Sequence, residues 1–190
     1  MSTKRDQIKA EAARMFRKRG YSATNLRELA AAVGIKAPSL YNHISSKQEL
    51  LRELLLEMAL RFTDVMVEVI ESSLEPVEKL ERLVVQHVRL TVKHPNDIAL
   101  ITSEWVHLED SEREQYLLMR DEYELRFRKI LQDCMDAGHF EKMNVDIALF
   151  STLSTLRWLY SWYGKHGDIT PEELERQMVK VLIDGLRKRD

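Results

Sequence analysis

Between Lys36 and Lys47 the chain reads Lys-Ala-Pro-Ser-Leu-Tyr-Asn-His-Ile-Ser-Ser-Lys, which gathers ammonium, hydroxyl, phenol, amide and imidazole groups in one short stretch. Groups of these types hydrogen-bond phosphate oxygens and base edges. Two other constellations could carry different chemistry. Glu104 and His107 form one Glu-x-x-His, a spacing that four-helix di-metal oxidases use twice, together with further glutamates. No second copy exists in this sequence, so the pair reads as a hydrogen-bonded or surface pair. Cys134 and His139 have no convincing third ligand or catalytic partner, and no glycine-rich phosphate loop is present. No catalytic residues, no metal site and no cofactor are therefore expected.

The polar stretch needs elements to hold it outward, and the sequence supplies them. Only 6 Gly and 4 Pro occur in 190 residues, and the apolar residues recur with helical rather than strand periodicity. A first helix is predicted from about Thr3 to Arg19, with Ile8, Ala12, Met15 and Phe16 on one face and Gly20 as its stop. A second begins after Thr24 or Asn25, and Asn25 with Glu28 resembles a capping box; Leu26, Leu29, Ala30 and Val33 make its apolar face. Gly34 breaks that helix, Ile35 returns to the core, and a short third helix starts near Pro38. Ala30, Gly34, Ile35, Leu40 and Ile44 would then line the buried side of a tight helical corner. Lys36, Ala37, Ser39, Tyr41, Asn42 and His43 face outward. Two short helices joined in this way can press one of them into a major groove about 12 Å wide.

The remainder predicts six longer helices, about nine in all. Ser46 and Glu49 box the start of a helix reaching about Ser72. Pro76 starts the next, which ends at His94-Pro95, and Asn96 caps a shorter one reaching Val106. Ser111 caps a long helix striped by Tyr116, Met119, Tyr123, Phe127, Ile130, Leu131 and Cys134, which Gly138 stops. Val145 to Tyr163 is apolar almost all round and should be buried on more than one side. Thr170-Pro171-Glu172-Glu173 opens the last helix, with Leu174, Met178, Val181, Leu182 and Gly185 on one face. The expected fold is all-α. Residues 1–46 are expected to form a three-helix DNA-binding domain, and residues 47–190 a larger helical domain.

Hydrophobic residues make up 44% and charged residues 32%, as suits a globular chain. A net charge of −2 conceals an asymmetry: residues 1–52 carry 11 Lys and Arg against 4 Asp and Glu, and the rest is net acidic. A basic segment on an acidic body marks contact with a polyanion. The single cysteine excludes an intramolecular disulfide framework. The first residues are too charged for a secretory leader, and no apolar run approaches the ~18 residues of a membrane span. A cytoplasmic protein without membrane contact is expected.

The stretch Thr24-Asn-Leu-Arg-Glu-Leu-Ala-Ala-Ala-Val-Gly-Ile-Lys-Ala-Pro-Ser-Leu-Tyr-Asn-His-Ile-Ser-Ser-Lys-Gln-Glu-Leu-Leu51 resembles the tetracycline-repressor (TetR) family, and Ala-Ala-Arg-Met-Phe-Arg-Lys-Arg-Gly-Tyr21 fits that family's first helix. Phe16, Gly20-Tyr21, Gly34, Leu40-Tyr41, His43 and Lys47 agree together. The resemblance implies that Arg27 reaches a base or phosphate. It places Lys36, Ala37, Pro38 and Ser39 over base edges, with Tyr41, His43 and Lys47 gripping phosphates. Asn42 departs from the bulkier residue of some relatives and is either a base reader or a bystander. Leu26 is expected in the core.

The same resemblance implies a homodimer on operator DNA, joined through the last two helices, and a repressor released by a small-molecule effector. The expected pocket is lined by Phe62, Met66, His87, Thr91, Trp105, Tyr116, Met119, Tyr123, Phe127, Thr152, Thr155 and Leu156, a set suited to an apolar ligand held by a few polar contacts. The segment Arg157-Trp-Leu-Tyr-Ser-Trp-Tyr-Gly-Lys-His-Gly-Asp-Ile-Thr-Pro-Glu-Glu-Leu174 resembles members that sense acyl-coenzyme A thioesters. Arg89, Arg120, Arg126 and Arg157 are its candidates for coenzyme phosphates, salt-bridged arginines being the other reading. A di-metal enzyme and a helical adaptor without DNA contact are the rival classes; Arg27, Tyr41, His43 and Lys47 argue against the adaptor.

Overall fold

The computed structural model describes residues 3–165 and 168–187. Among them are nine α-helices: α1 Lys4–Arg19, α2 Leu26–Ala32, α3 Ala37–Leu40, α4 Lys47–Glu71, α5 Pro76–Lys93, α6 Pro95–Ser103, α7 Asp110–Asp136, α8 Val145–Tyr163 and α9 Pro171–Val179. A 3-10 turn, Glu104–His107, follows α6, and a π-helical turn, Lys180–Asp184, follows α9. The described residues contain no strand, only one isolated bridge between Phe140 and Arg187. The fold is all-α. None of its described helices is long and apolar enough to cross a membrane.

The chain divides into two compact units, Met1–Ala59 with Asn96–Leu117 and Leu60–Pro95 with Leu118–Asp190. Helices α4 and α7 each run through both. In the first unit Thr3 caps α1, which buries Ile8, Ala12, Met15 and Phe16. Gly20 ends it with φ 83°, its N–H donating to the Phe16 carbonyl at 2.8 Å. Leu29, Ala30, Leu40 and Ile44 are buried around the α2–α3 corner, and Ile35 N–H donates to the Ala30 carbonyl at 2.9 Å. Gly34, at the corner, has φ 72° and open space where a Cβ would stand, so backbone conformation rather than crowding demands glycine there.

In the second unit α5 packs on α8 and α9. Leu80, Leu83, Val84 and Val88 of α5 share one core with Phe127, Leu131 and Cys134 of α7, Leu153, Leu156 and Leu159 of α8, and Leu174 of α9. Burial pushes the Cys134 thiol up to about 12, so it packs as an inert small hydrophobe.

Several helix ends differ from the sequence expectation. Asn25 caps α2 through its Arg27 N–H, at 2.8 Å, but Glu28 pairs with Arg19, so the expected box has only one side. Ser46 accepts the Glu49 N–H at 2.9 Å, whereas the Glu49 carboxylate reaches back one residue further, to the backbone N–H and hydroxyl of Ser45. Helix α6 begins at Pro95 rather than after Asn96, because proline's fixed φ already suits a first helical position. Helix α7 begins at Asp110, its first turn closed by Arg113 N–H donating to the Glu109 carbonyl at 2.8 Å; Ser111 lies inside the helix instead of capping it. Within the π turn after α9, Val181 is 65% exposed and Ile183 is buried, so the inward face differs from the expected one.

Candidate functional site

The polar face expected to meet DNA is built by the α2–α3 corner. Helix α3 spans only Ala37–Leu40, and its C-terminal turn is carried on by His43 N–H and Ile44 N–H, which both donate to the Leu40 carbonyl. With Leu40 and Ile44 inward, Lys36, Pro38, Tyr41 and Asn42 are exposed, and Ala37, Ser39 and His43 are half-buried. Tyr41, 58% exposed, is a large aromatic left in water by a corner that buries its neighbour Leu40 completely. Arg27 is exposed on α2, and Leu26 beside it is half-buried rather than core. Lys47, at the first position of α4, lies 4.3 Å above the Tyr21 ring and donates to the Ser22 carbonyl at 3.3 Å. Burial lowers its pKa.

Much of the basic charge near this face is spent internally. Arg5 donates to the His43 carbonyl and to Glu53, and Lys9 pairs with Glu53 and Glu57. Arg14 pairs with Glu11 and Arg19 with Glu28. Glu49, Glu53 and Glu57 lie four residues apart on α4 and present one acidic row to α1. The positive excess read from the sequence is thus partly a tie between α1 and α4.

A second cluster in the first unit had no sequence signal beyond the Glu-x-x-His spacing. Glu104 accepts the Tyr21 N–H at 3.0 Å, the Tyr21 hydroxyl donates to Gln48 at 2.6 Å, and the Gln48 amide donates to the His107 carbonyl at 2.9 Å. The Tyr21 and His107 rings stack at 5.4 Å, and His107 Nε2 stands 3.6 Å from Glu104. This is a structural tie rather than a ligand set. The described residues hold no group of three or more His, Cys, Asp or Glu side chains that could bind a metal.

In the second unit α4, α5 and α7 bring Phe62, His87, Tyr123 and Phe127 into one aromatic cluster with ring centroids 4.5–6.5 Å apart. His87 Nε2 lies 2.7 Å from the Tyr123 hydroxyl. Burial, helped by the Arg157 charge, depresses His87 to about 3, so the ring is neutral near pH 7. Burial raises the Tyr123 phenol against the same arginine. Beside them a cavity of about 260 Å³ is lined by Thr63, Met66, Leu118, Met119, Glu122, Tyr123 and Arg126.

Of the residues expected to line a pocket, Met66, Met119 and Tyr123 do so, with Phe62, His87 and Phe127 joining Tyr123 in the ring cluster. Thr91, Thr152 and Leu156 are buried but are not on the cavity wall. Thr155 is exposed, its hydroxyl donating to the Ser151 carbonyl at 2.9 Å. Trp105 and Tyr116 belong to the first unit, stacked at 6.3 Å with the Tyr116 hydroxyl on the Ile101 carbonyl. Sequence reasoning missed Thr63, Leu118 and Glu122, which follow or precede named residues on the same helices and carried no signal of their own. Each candidate phosphate-binding arginine has a carboxylate partner: Arg89 with Glu175, Arg120 with Asp121 and Glu124, Arg126 with Glu122, and Arg157 with Glu124. His166 and Gly167 of the C-terminal segment lie outside the described residues.

Helix α8, expected to be buried on several sides, instead turns a row of large apolar residues outward. Ile147 is 63% exposed, Phe150 73%, Trp158 60% and Trp162 44%. Their spacing places them along one face.

Residues 8–54 match the family described as bacterial regulatory proteins, tetR family, and residues 73–186 match the tetracyclin repressor-like C-terminal domain. The chain is 29% identical over 190 residues to the HTH-type transcriptional repressor KstR2 of Rhodococcus jostii (strain RHA1), covering 97% of this chain and 92% of that protein. Among solved structures, the ketosteroid transcriptional regulator KstR2 of Mycobacterium tuberculosis superposes with a TM-score of 0.92 at 23% identity, over 100% of this chain and 97% of that one. AibR, solved with isovaleryl coenzyme A and operator DNA, superposes with a TM-score of 0.81 at 24% identity, over 95% and 98% of the two chains. At those identities the two structures are evidence of a shared fold.

Proposed function

Because this chain belongs to the TetR family of bacterial regulatory proteins, we propose that it is a transcriptional repressor that holds operator DNA as a homodimer and releases it when an apolar effector fills the cavity of the second unit. Its activity is regulatory binding, not catalysis, and DNA as a partner places it in the cytoplasm. DNA contact is assigned to residues 1–46, through Arg27, Lys36, Ala37, Pro38, Ser39, Tyr41, Asn42 and His43, joined by Lys47 at the start of α4. Effector and dimer contact is assigned to residues 47–190. The observation that carries this reading is the separation of two sites on two compact units: a solvent-facing polar row at the α2–α3 corner, and an apolar cavity walled by Met66, Met119 and Tyr123.

Two sites on one chain regulate each other only if the effector prefers one of two states of the protein, and DNA then loses affinity by the same factor. Helices α4 and α7 are the physical links, since each contributes to both units. Helix α4 carries Lys47 at one end and Met66 further along, and α7 carries Tyr116 and then Met119 and Tyr123. An acyl-coenzyme A thioester is the proposed effector class. It is supported by the C-terminal segment's resemblance and by AibR, which shares the fold and was solved with isovaleryl coenzyme A. Coenzyme phosphates would compete with Glu175, Glu122 or Glu124 for the arginines those carboxylates now hold.

The test is a fluorescence-anisotropy titration of the purified protein on DNA flanking its own gene, against random duplex, without and with a panel of acyl-coenzyme A thioesters, free fatty acids and planar drugs. Preference for one genomic fragment, lost on adding a thioester, is expected. No preference at low ionic strength refutes the repressor; preference that no thioester changes refutes the effector class.

A further inference from the structure

The cavity wall is almost wholly apolar. Glu122 and Arg126, which also line it, pair with each other at 2.6 Å. Two hydroxyl-bearing residues, Thr63 and Tyr123, line it as well, and the Tyr123 hydroxyl lies 2.7 Å from His87 Nε2. A phenol offers one donor and two acceptor positions, and a neutral imidazole one of each, so their single contact leaves the phenol with capacity for a further partner. With the ring proton on Nε2, His87 donates to the phenolic oxygen and the O–H is released to donate elsewhere. Hydrogen bonds aligned in one direction polarise and strengthen each other.

We infer that the effector, on the premise that this cavity is the effector site, presents a neutral carbonyl oxygen, of a ketone or thioester, to the Tyr123 hydroxyl, with His87 Nε2–H supporting the phenol from behind. Tyr123 is then the residue that discriminates an oxygenated ligand from a bare hydrocarbon, and His87 is its positioning residue. A carboxylate fits the same place badly. A carboxylate there would be desolvated among Phe62, Met66 and Phe127 and would have to draw Arg126 or Arg157 away from Glu122 or Glu124, a double cost that a neutral carbonyl does not carry.

Three probes of similar shape separate the possibilities: butyrophenone, butylbenzene and 4-phenylbutyrate. The readout is NMR of the full-length protein labelled at its methionine methyls, where Met66 and Met119 report the cavity directly. Butyrophenone is expected to shift both methyls and to bind about fivefold more tightly than butylbenzene, the size of one neutral hydrogen bond. In Tyr123→Phe the ratio should fall to near one. In His87→Gln, whose amide N–H can take the place of the ring N–H, more of it should survive. Thermal melts establish that both variants fold, and His87→Gln decides alone if Tyr123→Phe does not. Equal affinity for ketone and hydrocarbon, tightest binding of the carboxylate, or a preference that persists in Tyr123→Phe overturns the carbonyl assignment and leaves the effector site standing. Silence of both methyls towards all three probes overturns both.

Discussion

At Lys47 the internal contact and the proposed phosphate contact call on the same ammonium group. Its Nζ sits over Tyr21 and donates to the Ser22 carbonyl, which accounts for one of three donors. The remaining two suit a phosphate, so Lys47→Ala should weaken all duplexes alike and reduce the log–log salt slope by about 0.9. Anisotropy titrations at several salt concentrations measure this, and an unchanged slope would show that the ammonium serves the fold alone. His87 sets a different residue-level expectation. Its folded pKa, about 3, lies below the ordinary 6.5 of the unfolded chain, so the unfolded state binds the extra proton between those values. The stability that neutral His87 supports is complete above pH 6.5 and falls by roughly 1.4 kcal/mol per pH unit as pH drops from there toward 3. His87→Gln removes that group, and its melting temperature should vary less than wild type between pH 6.5 and 4.5, as followed by circular dichroism.

At the scale of elements, the tie around Tyr21 joins pieces far apart in sequence: the end of α1, the start of α4 and the 3-10 turn. Glu104 receives a backbone N–H that no helix satisfies. Truncating it in Glu104→Ala should cost about 1 kcal/mol and lower the melting temperature by roughly 2–4 °C. Glu104→Gln keeps an acceptor oxygen and should recover most of the loss; if both variants melt alike, the carboxylate's charge and not its hydrogen bond matters. The elements themselves were largely legible. Proline at the start of α5 and α9, glycine after α1 and α2, and 3.6-residue periodicity are local signals that do not depend on the rest of the chain. The misplaced starts of α6 and α7 came from sites where two neighbouring residues could each cap, a choice that the connection to the preceding helix makes.

For the whole molecule, the outward row of Ile147, Phe150, Trp158 and Trp162 is too large and too apolar to be indifferent to water. We assign it to the proposed homodimer contact, two helices from each subunit about a two-fold axis. Phe150→Lys and Trp158→Lys each place a charge in that contact, and light scattering at micromolar concentration should find monomers. Their DNA affinity should drop with dimerisation, because a single helix-turn-helix grips its half-site weakly. Dimers that persist in both variants would move the interface elsewhere.

The amino-acid order determined the helical class, the α2–α3 corner and the family, since each rests on residues within a few turns of one another. Gly34, Leu40, Tyr41 and His43 define their corner by spacing alone. Tertiary structure decided which basic charges are spent inside the protein, where Arg5 and Lys9 meet the acidic row of α4. It also decided which aromatic residues share a chamber, where His87 meets Tyr123 while Trp105 and Tyr116 stay in the first unit. Pairings across tens of residues leave no periodic trace. They are fixed by how whole helices pack, and packing sums many contacts that no local pattern encodes.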